Sequence, residues 1–138
     1  MIKAIFIEEV EYIAVEMARQ TMSWNEPIPP FETRYPGRLE SCLAVPFQTF
    51  DKKLLYRGLT EKAAILFYLM IKNHPFENGN KRIAVTTLIC FLLKNGKWLK
   101  VLNREELYKL AVTIAESDPA YKEQYVQIIN RFISKNLS

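Results

Sequence analysis

A chain of 138 residues, 49% apolar and 25% charged, is long enough to bury one hydrophobic core and too apolar for a disordered segment. Its net charge of +4 and pI near 9.1 suit nucleotides, acidic protein partners or nucleic acid, and exclude none of the three. A single histidine and two cysteines, Cys42 and Cys90, set in apolar surroundings at no metal-ligand spacing, argue against a zinc centre or a secreted disulfide scaffold and read as buried thiols.

The N-terminal stretch MIKAIFIEEVEYIAVEMARQ carries acids inside its apolar run, which a signal peptide does not. Ile7, Val10, Ile13, Ala14, Met17 and Ala18 recur at helical spacing and predict a first amphipathic helix. It must end before NEPIPPF, where Pro27, Pro29 and Pro30 enforce an extended loop. Gly37 then releases a short helix over 38–45, closed by Pro46. PFQTFDKKLLY, residues 46–56, sets a polar Asp51-Lys52-Lys53 tip between apolar flanks. It reads as a hairpin or ordered flap, and a plain surface loop fits the pattern equally.

Thr60 followed by Glu61 reads as an N-cap with an acid in the first turn. The helix it opens carries Ala64, Ile65, Phe67, Tyr68, Met70 and Ile71 and should stop before His74-Pro75. The next helix begins near Asn80 and ends at Asn95-Gly96. Within it IAVTTLICFLL bears no charge on any face, which places it at the centre of a bundle. The run is broken by Thr86 and Thr87 and is too short to cross a bilayer. Asn103 to Glu106 resembles a capping box, and Ser117-Asp118-Pro119 opens the last helix. The expectation is one all-α domain over 1–138 with at most a small hairpin, cytoplasmic and without a membrane partner. Its cations (Lys52-Lys53, Lys81-Arg82 and those of 94–100) share no face, so a nucleic-acid partner is not expected.

On that map HPFENGNKR, residues 74–82, is a loop feeding the N-terminus of the most buried helix. The first N–H groups of a helix lack intrahelical partners and carry partial positive charge. Gly79 has no side chain to keep a bulky anion from the backbone, and Lys81 and Arg82 stand in the first turn. Two cations there oppose the dipole unless an anion compensates them; the alternative is a pair of solvated side chains. His74, beside this phosphate cradle in a loop stiffened by Pro75, is either structural or a general base for a hydroxyl attacking phosphorus.

HPFENGNKR closely resembles the signature loop of the Fic/Doc superfamily. LTEKAAILFYLMIKNHPFENGNKRIAVTTLICFLLKNG resembles the two core helices of its Doc (death-on-curing) branch, and GRLESCLAVPFQTF is similar to the segment leading into that branch's flap. The resemblance implies an all-α fido-type bundle whose flap, 46–56, docks a target protein through Phe47, Gln48, Thr49 and Phe50. It implies His74 as the base that deprotonates a target Ser or Thr, and Phe76 as the loop's anchor. It further implies Gly79 and Asn80 as the anion hole and Arg82 as the clamp on the distal phosphates. The donor would be ATP or another nucleoside triphosphate, with Mg²⁺.

Lys81 stands where most Fic enzymes, which transfer AMP, carry glycine, whereas the Doc branch carries lysine and is associated with phosphate transfer. Val85 replaces the second arginine of many Fic enzymes. The resemblance thus implies a Doc-like toxin of a toxin–antitoxin pair, a protein kinase acting on a target such as a translation factor. Gly79 and the HPF triplet look more like Fic, so AMP transfer on the same scaffold is the alternative. Asn78 occupies the family's acidic, metal-holding position and brings no charge to Mg²⁺, which leaves a weakened nucleotide-binding homologue as a third reading. No Ser or Thr has Glu four residues on, as the Fic self-inhibitory helix requires, so a separate antitoxin that folds on binding is the implied partner.

Overall fold

The computed structural model of the chain describes residues 1–21, 27–100 and 104–138. Its first helix, α1 (residues 7–21), is not uniform. The α-helical turn Ile7–Glu9 passes through a π-helical stretch, Val10–Ala14, into α-helical Val15–Thr21. The wider turn changes which side chains face inward. Val10, Ala14, Val15 and Ala18 are buried, while Ile13, which a regular 3.6-residue period would bury, is 49% exposed.

Residues 27–30 have no regular secondary structure and lead into a 3₁₀ turn, Phe31–Thr33. Gly37, at φ 84°, starts α2 (Arg38–Ala44), which gives way one residue earlier than expected to a 3₁₀ turn, Val45–Phe47, containing Pro46. A hairpin follows: β1 (Thr49–Phe50) pairs antiparallel with β2 (Lys53–Leu54), Thr49 opposite Leu54 and Phe50 opposite Lys53. Asp51 and Lys52 both have positive φ, 51° and 65°, the backbone of a two-residue type I′ turn built without glycine. The alternative of a plain surface loop is thereby replaced by a short ordered hairpin.

The two central helices are α3 (Leu59–Lys72) and α4 (Asn80–Lys94). α3 is capped by Gly58 and not by Thr60, which sits in its first turn; no side chain caps it. Glu61 instead reaches back, its Oε2 accepting from the Arg57 backbone N–H at 3.3 Å. From Lys62 to Ile71 every residue is buried. In α4 burial is continuous from Arg82 to Leu92, and only the last apolar residue, Leu93, emerges, 49% exposed. The helix closes on a Schellman arrangement: Lys97 N–H donates to the Leu92 carbonyl at 2.9 Å and Gly96 N–H to that of Leu93 at 3.0 Å, with Gly96 at φ 76°.

α5 (Arg104–Glu116) and α6 (Lys122–Asn136) complete the bundle. Asn103, the expected cap of α5, lies outside the described residues. Asp118 Oδ1 accepts from Ala120 N–H at 2.9 Å and so caps a 3₁₀ turn, Pro119–Tyr121, that feeds α6. α3 packs against α4, α5 and α6, and α4 against α1 and α5, so the apolar faces converge on one core. The fold is all-α with one small antiparallel hairpin. Cys42 and Cys90 are free and buried, and burial pushes their thiols up to about 12 and about 11. No helix among the described residues is long and apolar enough to cross a membrane.

Candidate active site

The segment joining α3 to α4 is short and heavily constrained. α3 ends with Asn73 as C-cap, and the next position, where helices usually place glycine, holds His74 at φ 45°. A non-glycine residue in that left-handed region costs about 1–2 kcal/mol. The cost is met by neighbours distant in sequence. Pro75 is buried and its carbonyl accepts from the Tyr35 backbone N–H at 2.9 Å. The His74 carbonyl accepts from Arg38 Nη1 at 3.3 Å, and the Arg38 guanidinium lies over the Tyr35 ring, 4.3 Å from its centroid. The His74 side chain belongs to an exposed residue. Its backbone is fixed and its imidazole faces solvent.

Beyond Pro75 the loop turns inward. Phe76 is 1% exposed and packs against the Phe31 ring, centroids 6.0 Å apart. Asn80, the first residue of α4, closes the loop on itself. Its Oδ1 accepts from Phe76 N–H at 3.0 Å, and its Nδ2 donates to the Phe76 carbonyl at 2.9 Å. One buried side chain thereby satisfies both backbone groups of one residue.

Gly79 caps α4 in the left-handed conformation, φ 74°. A Cβ there would meet Ile28 Cδ1 at 2.7 Å and the Pro27 carbonyl oxygen at 2.9 Å. The space next to this glycine is therefore taken by the proline-rich segment, and not left open for an anion. Packing against residues 27–28 demands the glycine. The Gly79 N–H is also engaged, donating to Asn78 Oδ1 at 2.8 Å.

Arg82 differs most from its expected setting. It is buried, 6% exposed, and Nη2 donates to the Ala18 carbonyl, tying α4 to the end of α1. Lys81 is half-buried, and Glu77 and Asn78 are exposed. Of the flap residues, Gln48, Thr49 and Phe50 are exposed, but Phe47 is not on the hairpin. It belongs to the preceding 3₁₀ turn and packs edge-on against Phe91 of α4, centroids 6.3 Å apart. Arg38 and Tyr35, which hold the His74–Pro75 backbone, carried no signal in the sequence, being more than thirty residues from the loop they support.

The Asn78 amide oxygen already accepts a hydrogen bond, Glu77 is its exposed neighbour, and no cluster of His, Cys, Asp or Glu among the described residues could hold a metal. What the loop does offer is an exposed imidazole at one end and a half-buried ammonium in the first turn of a buried helix at the other. Such a pair suits proton transfer beside a phosphorylated ligand.

Residues 6–92 of the chain, from α1 to the last turn of α4, match the sequence model of the Fic/DOC family. No curated protein and no solved structure matches the chain.

Proposed function

The chain belongs to the Fic/DOC family, and from that premise we propose that it transfers the γ-phosphoryl group of a nucleoside triphosphate to a Ser or Thr hydroxyl of a target protein. The family modifies proteins by nucleotide-dependent transfer. The observation that carries the reading is His74: solvent-facing, and held in a costly backbone conformation by Arg38 and Tyr35.

In this mechanism a ring nitrogen of His74 takes the proton of the target hydroxyl as its oxygen bonds to the γ-phosphorus. The bond from that phosphorus to the β–γ bridging oxygen breaks, and the nucleoside diphosphate leaves with the electron pair. Lys81 neutralises phosphate charge at the first turn of α4. Arg82 acts less directly, by joining the buried helix to α1, because its guanidinium is engaged with the Ala18 carbonyl. Gly79 and Asn80 act by setting the loop's shape. Mg²⁺, where present, would arrive on the nucleotide and neutralise part of its phosphate charge. The biological role that fits is a toxin restrained by a separate antitoxin, acting in the cytoplasm on a target such as a translation factor.

One observation favours a second reading, a nucleotide-binding homologue of weakened activity: the amide oxygen at the metal position is hydrogen-bonded to the next backbone N–H. ATP labelled at the α- or γ-phosphate, incubated with the protein and cell lysate, separates these. γ-Label on a protein band, lost in His74→Ala, is the expected result. Label from the α-phosphate alone means AMP transfer with release of pyrophosphate, and no label from either sinks the enzymatic reading. Growth arrest on expression, relieved by His74→Ala, tests the toxin role.

A further inference from the structure

Lys62 lies in the first half of α3, and it is 2% exposed. It is the only buried lysine among the described residues, and it opens an otherwise unbroken buried run. Its Nζ donates to the Tyr56 carbonyl and stands 5.0 Å from the centroid of the Phe47 ring. No carboxylate lies within ion-pairing distance of it among the described residues. Burial pulls its pKa down, opposed by the nearby charge of Glu61. A leucine or methionine could fill the same space without stripping water from an ammonium group, so packing alone does not account for a lysine here.

The two partners of Lys62 explain the choice. Phe47 stands two residues before β1, and Tyr56 two residues after β2. One ammonium group grips both feet of the hairpin at once. Beyond those feet none of its own residues is buried: Phe50 is 74% exposed, Leu54 42% and Leu55 51%. Two residues per strand cannot define their own position. The hairpin's place in the protein is set at its feet, where Lys62 of α3 joins Phe47 to Tyr56 and the Phe47 ring also meets Phe91 of α4.

α3 then carries that position to the other end of the site. Lys62 and Lys72 are separated by ten residues of continuous helix, a rod of about 15 Å that ends at the loop bearing His74. We propose that Lys62 is a positioning residue: by clamping Phe47 and Tyr56 to α3 it fixes the hairpin edge at a set distance from His74, and so decides how a docked target chain is presented. This rests on the reading of the hairpin as the docking strand for a protein target.

Backbone amide hydrogen exchange in Lys62→Met, Lys62→Arg and Phe47→Leu tests the clamp without requiring catalysis. The expected result is exchange at least about tenfold faster for residues 49–56 in Lys62→Met and Phe47→Leu, with α4 amides unchanged and Lys62→Arg near the parent. Should Lys62→Met fail to fold, Lys62→Leu, which leaves the Phe47–Phe91 contact in place, decides instead, because Phe47→Leu removes that contact as well. Hairpin amides as protected as in the parent, or faster exchange throughout the chain, would overturn the proposal. In the γ-labelled lysate assay, Lys62→Met should lose labelling at low lysate concentration and regain it as lysate is added, the pattern of a raised KM. A loss that extra lysate does not restore counts against positioning. Absence of labelling by the parent protein removes the proposed function and leaves the exchange result standing.

Discussion

The loop 74–82 and the hairpin 49–54 flank the same helix and are built on opposite plans. The loop is over-determined. Phe76 sits in the core, Asn80 holds both of its backbone groups, Arg38 and Tyr35 hold the carbonyls before it, and residues 27–28 lean on Gly79. The hairpin has a left-handed turn without glycine, an exposed aromatic beside that turn, and buried contacts at its base alone, where Lys62 meets Phe47 and Tyr56 and Phe47 meets Phe91. A group that must hold a proton acceptor in one place needs redundancy. A strand that must accept another chain needs open edges, and here rigidity is confined to its root.

That contrast can be broken most forcefully at Phe76. Phe76→Ala removes a buried aromatic and should cost about 3–5 kcal/mol, read as a lower denaturant midpoint at unchanged slope. A loss below about 1 kcal/mol would mean that the loop is not anchored as described. A smaller and opposite effect is expected at His74. Glycine tolerates the left-handed backbone, so His74→Gly should raise stability by about 1 kcal/mol while abolishing transfer, whereas His74→Ala abolishes transfer without that gain. Equal midpoints for the two variants would show that the conformation carries no strain. The smallest effect belongs to the hairpin. Replacing Asp51-Lys52 with Asn-Gly suits the type I′ turn and should stabilise the chain by a few tenths of a kcal/mol. It should slow amide exchange in 49–54 alone; a shift as large as that at Phe76 would mean that the two regions are not independent.

Much of the scaffold could be read from the chain. The ends of α3 and α4 follow from His74-Pro75 and Asn95-Gly96, and the site of the hairpin follows from a polar tip between apolar flanks. At the start of α3 Thr60 has the preferred capping side chain, but Gly58 has the extended backbone a cap needs and takes the position. Ile13 faces outward because a π turn breaks the 3.6-residue period of the apolar positions. Within the loop, spacing could not reveal that the Asn80 amide turns back on Phe76 or that Arg82 finds a carbonyl sixty-four residues away. Nor could it bury Lys62, since a lysine beside Glu61 reads as surface until Phe47 and Tyr56 are brought to it. Asn80, Arg82 and Lys62 are polar side chains whose partners the tertiary fold or a local backbone reversal supplies, whereas Gly58 and Ile13 depend on local backbone geometry.

The wide turn in α1 carries a consequence for how this helix can vary. A π turn holds one residue more than the α turn it replaces, so Val10–Ala14 bears the geometry of a single-residue insertion accommodated without breaking the helix. Deleting one residue there would let α1 wind regularly with its two parts facing as they do now, whereas winding it regularly with every residue kept would rotate everything upstream by roughly 100° about the axis. Ile5 would leave the interior and Glu9 would swing away from Lys94, which it now contacts at 2.6 Å. The surplus residue thus acts as a phase shifter, letting the amino-terminal segment and the rest of α1 each meet the core in its own register.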